Sequence, residues 1–296
     1  MPSPDRFNQI ARKFSQAETL PSMPIATLKV NRLLDSEEVS LADVEREIVG
    51  DPAFTSALLR AASSAIYGDS AQLITTVRAA LMRLGVTTVK AVALSLWTQA
   101  LVSHAPSKSA FSATRFRDHS VFVGYMARYL YSARQKRERF PCKWTSEEVF
   151  AMGILHDLGT ALFAVMEPKE FETVVNQATL RSTSFSHQVQ TTYGHRVSEL
   201  GIAAVKSWGL DAMFAEVIQF LDAPESHPTD PIAMACVHLA DRLANANKFS
   251  LFNLTSESIS EYVDAQVNLP EAELAAAIES VAESMKEPDQ KKRRCA

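Results

Sequence analysis

Apolar side chains in this chain recur every third or fourth position, in windows of helical length edged by proline or glycine. That periodicity turns one face of each window into a core. Phe7, Ile10 and Phe14 form one such stripe, Phe54, Leu58 and Ala61 a second, and Val77, Leu81 and Leu84 a third. No segment alternates with the two-residue period of a half-buried strand, although Leu162 to Met166 is short and apolar enough to be read either way. Nine glycines in 296 residues is less than half the usual share of about 7%. Propellers, β-sandwiches and Gly-rich phosphate loops all consume glycine in their turns, so that scarcity argues against them. The expected fold class is all-α.

Local signals place the breaks. Two prolines within Leu20 to Pro24 cannot share one regular helix. Ser40 with Asp43 resembles a capping box ahead of Val44 and Ile48, and Gly50 closes that helix. Asp51 and Pro52 supply an N-cap and a first helical residue. Gly85 stops the third stripe, and a further helix runs from Val86 to about Val102. Pro106 to Ser112 is a polar joint. Longer helices are expected beyond it, over 113–134, 146–157, 168–179, 185–207, 211–222 and 231–247, with Thr145 and Glu148 as a second capping box. The organisation expected is an N-terminal helix over 1–17, a helical bundle over 18–105, a larger helical domain over 112–285 and a disordered basic tail over 286–296. That tail carries Lys291, Lys292, Arg293 and Arg294.

Charge and cysteine usage exclude several partners. Thirty basic and 34 acidic residues, net −4, are spread along the chain, so no strong field is available to hold nucleic acid. Cys142, Cys236 and Cys295 lack CxxC spacing, which argues against a disulfide framework or a zinc knuckle. The N-terminus has no apolar leader, and Val89 to Val102 is interrupted by Lys90, Thr98 and Gln99. A cytoplasmic protein without a membrane span is the expectation.

Four residues stand out against apolar neighbours. His119 shares a helical face with Phe116, Val123 and Met126, and His156 shares one with Val149 and Met152. Asp157 is rotated about 100° from His156 on a helix, and Asp241 lies among the small and apolar residues of 233–246 with His238 one turn before it. Inward polar groups need partners. Two imidazoles and two carboxylates suit a single divalent transition ion such as Mn, Fe or Ni, or less naturally Mg. The alternative is a set of polar groups bonding one another across a bundle. His104, His187, His195 and His227 lie in polar contexts and are expected at the surface.

Several runs, taken in order, resemble the HDOD family, the HD-related output domains of bacterial signalling proteins. They are Leu20 to Pro24, Asp51-Pro52-Ala-Phe54 with Leu58 to Ser64, and Ala79 to Gly85 in the first half. Phe116 to Ser120, Gly153 to Gly159, Glu199 to Gly201 with Trp208 to Leu210, and His238 to Asp241 follow in the second. The resemblance covers about residues 18 to 245. It implies an all-α fold, with an N-terminal bundle packed on a degenerate HD-type metal phosphohydrolase domain, and a metal set of His119, His156, Asp157 and Asp241.

Departures from the catalytic relatives are informative. Those that hydrolyse cyclic di-GMP continue the doublet as HDIGK, whereas here it runs to Thr160. On the alignment set by Gly201 and Trp208, Val197 takes one added His position and His195 lies two residues off. Phe220 and Leu221 replace a tandem His. A two-ion phosphoryl clamp is missing half its ligands. The resemblance therefore implies a non-catalytic signalling module that acts through protein contacts or by sensing a nucleotide or second messenger. The alternative is a single-metal phosphohydrolase, for which Arg115, Arg117 and Arg196 are candidate phosphate cations or simply solvated charges. The absence of a recognisable receiver, GGDEF, EAL or PAS-like segment suggests a free-standing output domain.

Overall fold

The computed structural model describes residues 9, 29–30, 33–34, 40–64, 74–103, 110–138, 140–252 and 260–285. The stripe at Phe7, Ile10 and Phe14, the break at Leu20 to Pro24, His104, most of the joint at 106–112 and the tail at 286–296 lie outside the described residues.

Every element among them is helical. Helix α1 (Leu41–Val49) starts at Ser40, whose side chain accepts from the Asp43 N–H, and α2 (Pro52–Ala62) starts at Asp51, which accepts from Ala53 and Phe54 at 2.9 and 3.0 Å. Helix α3 (Val77–Val102) is bent at Gly85, where φ is 70°. Its first half joins Val44, Ile48, Phe54 and Leu58 in one core. Its second half carries Ala91, Leu94, Trp97 and Leu101 into a larger core made by the rest of the chain. There Trp97 meets Trp208 edge to face, with ring centroids 4.3 Å apart.

The larger core is built by α4 (Ala113–Arg137), α5 (Ser146–Leu155), α6 (Leu158–Met166), α7 (Pro168–Arg181), α8 (Phe185–Tyr193), α9 (Val197–Ser207), α10 (Ala212–Phe220), α11 (Pro231–Ala246), α12 (Glu261–Val267) and α13 (Glu271–Ser284). Two expectations need correction, and one open reading is resolved. The helix expected over 146–157 ends at Leu155, and the ambiguous Leu162 to Met166 belongs to the separate helix α6. The single helix expected over 185–207 is two, because Gly194 takes φ 75° and turns the chain between α8 and α9. Glycine adopts that left-handed conformation without the penalty other residues carry. Helices α12 and α13 were not delimited by the sequence signals.

Two close crossings hold the centre together. A Cβ on Gly153 of α5 would lie 2.7 Å from the Gly124 Cα of α4, and one on Gly159 of α6 would lie 2.3 Å from the Val197 carbonyl oxygen at the start of α9. Both crossings therefore require the missing side chain, and both flank the pair His156-Asp157. Two stretches, Val77–Val102 and Ser146–Met166, are long and apolar enough by composition to cross a membrane. The first bends at Gly85 and feeds both cores; the second is 83% buried within the fold and broken at His156-Asp157.

Candidate metal centre

Three helical segments bring the four singled-out residues to one place. His119 lies in α4, fully buried; His156 and Asp157 form the junction between α5 and α6; Asp241 lies in α11. The Nε2 atoms of His119 and His156 are 3.2 Å apart. Asp157 Oδ2 is 3.6 Å from each. Asp241 Oδ1 is 3.3 Å from the His119 nitrogen and 3.7 Å from that of His156. The His119, His156 and Asp157 donor atoms lie within 4.8 Å of one another. Asp241 completes the group through its contacts with the two rings.

The other nitrogen of each ring explains the orientation. His119 Nδ1 lies 3.0 Å from the Phe249 carbonyl and His156 Nδ1 lies 2.8 Å from the Gly153 carbonyl. Carbonyl oxygens only accept, so each Nδ1 carries the hydrogen and each Nε2 presents a lone pair to the centre. Two lone pairs facing each other at 3.2 Å need a positive charge between them. Burial opposes the charged form of His156, but Asp157, Asp241 and the Gly153 carbonyl outweigh it and push the imidazole up to about 9. Burial likewise opposes ionised Asp241, yet both imidazoles hold its carboxyl well below the usual range. The field of the cluster favours a cation.

Asp157 departs from a local rule. It stands at the N-cap of α6, where an aspartate ordinarily accepts from the first-turn N–H groups at a gain of about 1 kcal/mol. Here it makes no such bond. Its Oδ1 accepts from the Thr160 hydroxyl at 3.1 Å instead, leaving Oδ2 for the imidazoles. Asp241 Oδ1 accepts from the Asn245 amide at 2.8 Å. Sequence reasoning missed Thr160 and Asn245 as orienting groups. Their spacing, three and four residues after an inward carboxylate, is the available signal.

The donor set fits a divalent transition ion. Ligands about 2.0–2.2 Å from one ion lie roughly 3–3.5 Å from each other; the separations of 3.2 and 3.3 Å fall in that range, and those of 3.6, 3.6 and 3.7 Å lie just beyond it. Imidazoles fixed through Nδ1–H to carbonyls are the usual outer support of such ligands. When bound, the ion would act as a Lewis acid toward an oxygen ligand.

A cavity of about 320 Å³ opens on His156, Asp157 and Asp241. Val197, Ile218 and Leu221 form part of its wall. Of the arginines considered for a phosphate, Arg196 lines this cavity; Arg117 pairs with Asp118 at 2.8 Å and Arg115 is exposed elsewhere. His187 and His195 are not buried, as expected, whereas His227 is a correction. It is 4% exposed. Its Nε2 donates to Glu216 at 2.9 Å, and its Nδ1 accepts from the Asp230 N–H. Of its polar neighbours in sequence, Asp230 is itself buried and supplies one of these bonds. His238 Nδ1 donates to the Leu221 carbonyl at 2.7 Å, and its Nε2 accepts from the Arg242 Nε at 3.4 Å.

A long helix shared by two helical cores, with a His, a His-Asp doublet and an Asp gathered beneath a cleft, defines an all-α domain of the HD-related class. The profile of the HDOD domain matches residues 20–224, and the chain belongs to the HDOD family. Solved structures agree on the fold. An HDOD domain protein from Geobacter sulfurreducens superposes with a TM-score of 0.69 at 21% identity, over 92% of this chain and 87% of that one. A Shewanella amazonensis protein provisionally designated a metal-dependent phosphohydrolase gives 0.65 at 16% identity, over 96% and 99%. One from Marinobacter aquaeolei, provisionally designated a signal transduction protein, gives 0.64 at 17% identity, over 90% and 59%. No curated protein matches the sequence.

Proposed function

We propose that this chain is a non-catalytic output module of bacterial signalling that holds one divalent transition ion, Mn, Fe or Ni in preference to Mg, through His119, His156, Asp157 and Asp241. The ion ties α4, the α5–α6 junction and α11 to one another, and partner proteins read the resulting surface. The observation that carries this reading is the wall beside the cluster. At the positions where two-ion relatives carry added histidines, the resemblance places Val197 and Leu221, both of which line the cavity, and hydrocarbon cannot ligate a metal. One ion without its neighbour lacks the two-metal clamp on the attacking and leaving oxygens of a phosphoryl displacement.

Metal analysis of the purified chain tests the stoichiometry, with one ion per chain expected and two refuting it. Partner capture from a bacterial lysate, compared between the wild type and His156→Ala, tests the output role. Loss of partners in the variant is expected.

A second reading, a single-ion phosphohydrolase, is favoured by the cavity that opens directly on three of the four residues. Turnover of any member of a phosphoester panel that vanishes in His156→Ala and Asp157→Ala, with the fold retained, would establish it in place of the first.

A further inference from the structure

The chain that leaves α11, residues 247–252, has no helix of its own and touches first the cluster and then the outer helices. The Phe249 carbonyl accepts the Nδ1 hydrogen of His119 at 3.0 Å, and the Phe249 ring stacks on Phe122, three residues further along α4, with centroids 4.5 Å apart. Ser250 reaches the other side. Its hydroxyl lies against the Phe252 carbonyl and 3.4 Å from the side-chain oxygen of Asn245, whose amide holds Asp241. Phe252 then leaves the cluster. Its ring stacks on Phe185 of α8 at 4.9 Å and lies 5.8 Å from the Phe171 ring of α7. It completes a group in which Phe163, Phe171 and Phe185 already stand 5.1 to 6.4 Å apart.

Backbone bonds fix the start of this segment, where the Asn247 N–H meets the Ala244 carbonyl at 3.2 Å and the Ser250 N–H meets the Asn247 carbonyl at 3.4 Å. The contacts above hold the rest. A segment held in this way opens locally at lower cost than a helix in the core. Its attachment depends on the direction of the His119 ring. Neutral rings with facing lone pairs at 3.2 Å repel, and His119 relieves the repulsion by turning, which withdraws its Nδ1 hydrogen from Phe249. A proton on one Nε2 answers a single neighbouring lone pair, whereas an ion draws both rings and both carboxylates at once. The ion therefore binds the fastened arrangement better than the loosened one, which is the condition for shifting the balance between them.

We infer that residues 247–252 form a strap that is fastened when the ion is bound and loosens when it is removed, and that Phe252 carries the change to α7 and α8. This rests on the one-ion reading above and names the element through which ion occupancy reaches the outer helices.

The test is hydrogen–deuterium exchange of the full chain, read by mass spectrometry, with Mn²⁺ and after chelator treatment. Exchange over 247–252 and over 171–185 is expected to slow at least about tenfold more than exchange over 41–62, within the span of about 5–150-fold for coupling between sites. Helices α1 and α2 carry only the general stabilisation that a bound ion confers. Phe252→Ala, at a half-buried position, should still bind Mn²⁺ and protect the start of the strap, and should lose the extra protection of 171–185. Phe249→Ala keeps the carbonyl and removes the stack on Phe122. Because coupling is reciprocal, it should weaken Mn²⁺ binding about tenfold in calorimetric titration. The wild-type comparison stands whether or not either variant folds. Failure to bind Mn²⁺ would overturn the one-ion reading and this inference with it. Mn²⁺ binding with equal slowing over 41–62 and 247–252, protection of 171–185 that survives in Phe252→Ala, or wild-type Mn²⁺ affinity in Phe249→Ala would overturn the inference alone.

Discussion

His119 and His156, 37 positions apart in sequence, meet Nε2 to Nε2 at 3.2 Å while a backbone carbonyl holds the other nitrogen of each ring. Neutral rings so oriented repel through their lone pairs, and the two aspartates add negative charge around them. The arrangement is stable only with a proton or a metal ion at its centre. That relationship makes the first prediction.

Loading with Mn²⁺ should raise the midpoint of thermal unfolding, and a chelator should lower it again. An ion present at about 100 times its Kd stabilises the native state by ~2.7 kcal/mol. His119→Ala removes one ligand and should abolish the ion-dependent part of the shift, read by circular dichroism at matched protein concentration. An equal shift in the variant would show that the ion binds elsewhere.

Thr160 and Asn245 act through the carboxylates they orient. Thr160→Val keeps the shape of the side chain and removes the donor, so Asp157 loses its fixed direction. Loss of an outer-shell hydrogen bond to a ligand reduces metal affinity about 10–100-fold. Thr160→Ser restores the hydroxyl and should restore affinity. Identical Mn²⁺ affinities for Val and Ser variants would remove Thr160 from this role.

The crossing at Gly159 tolerates no side chain, because the atom met at 2.3 Å is the Val197 backbone and not a movable tip. Gly159→Ala should destabilise the fold by about 1–3 kcal/mol or more, the range for overpacking a core. Urea denaturation measures it. Gly50→Ala, where the nearest atom lies at 3.5 Å, is the comparison and should change stability far less.

Away from the cluster, Glu216 receives two hydrogen bonds from Lys143, at 2.7 and 2.9 Å, and one from His227 at 2.9 Å. Burial raises its carboxyl, but Lys143 and His227 outweigh it and leave it below its ordinary value. A carboxyl lowered by folding contributes stability that is present above its unfolded value and lost as pH falls through the folded one. Glu216→Gln should therefore flatten the loss of stability between about pH 5 and 3. Acid titrations of the two proteins in urea give that difference, and superimposable slopes would contradict it.

Much of the fold was legible because helical periodicity and capping are local. Ser40, Asp51 and Thr145 each cap the helix that their spacing indicated, and Gly85 breaks the third stripe. Gly194 was the misread break: apolar residues continue at helical spacing through it, and periodicity does not record a backbone dihedral. His227 was misplaced because its neighbours Ser226 and Thr229 are polar and exposed, although its ring is buried against Glu216. The four inward polar residues were visible as types that apolar faces do not tolerate alone.

By itself, then, the order of residues determined the helices, their inward faces and which polar side chains had to find partners there, since each depends on neighbours within a few positions. Tertiary packing alone decided the direction of each ligand atom. The carbonyls of Phe249 and Gly153 turn the rings, Thr160 and Asn245 turn the carboxylates, and the glycine crossings set the helices close enough for the four to meet. Those directions come from contacts between segments distant along the chain, and hydrogen bonds depend on angle as well as on proximity.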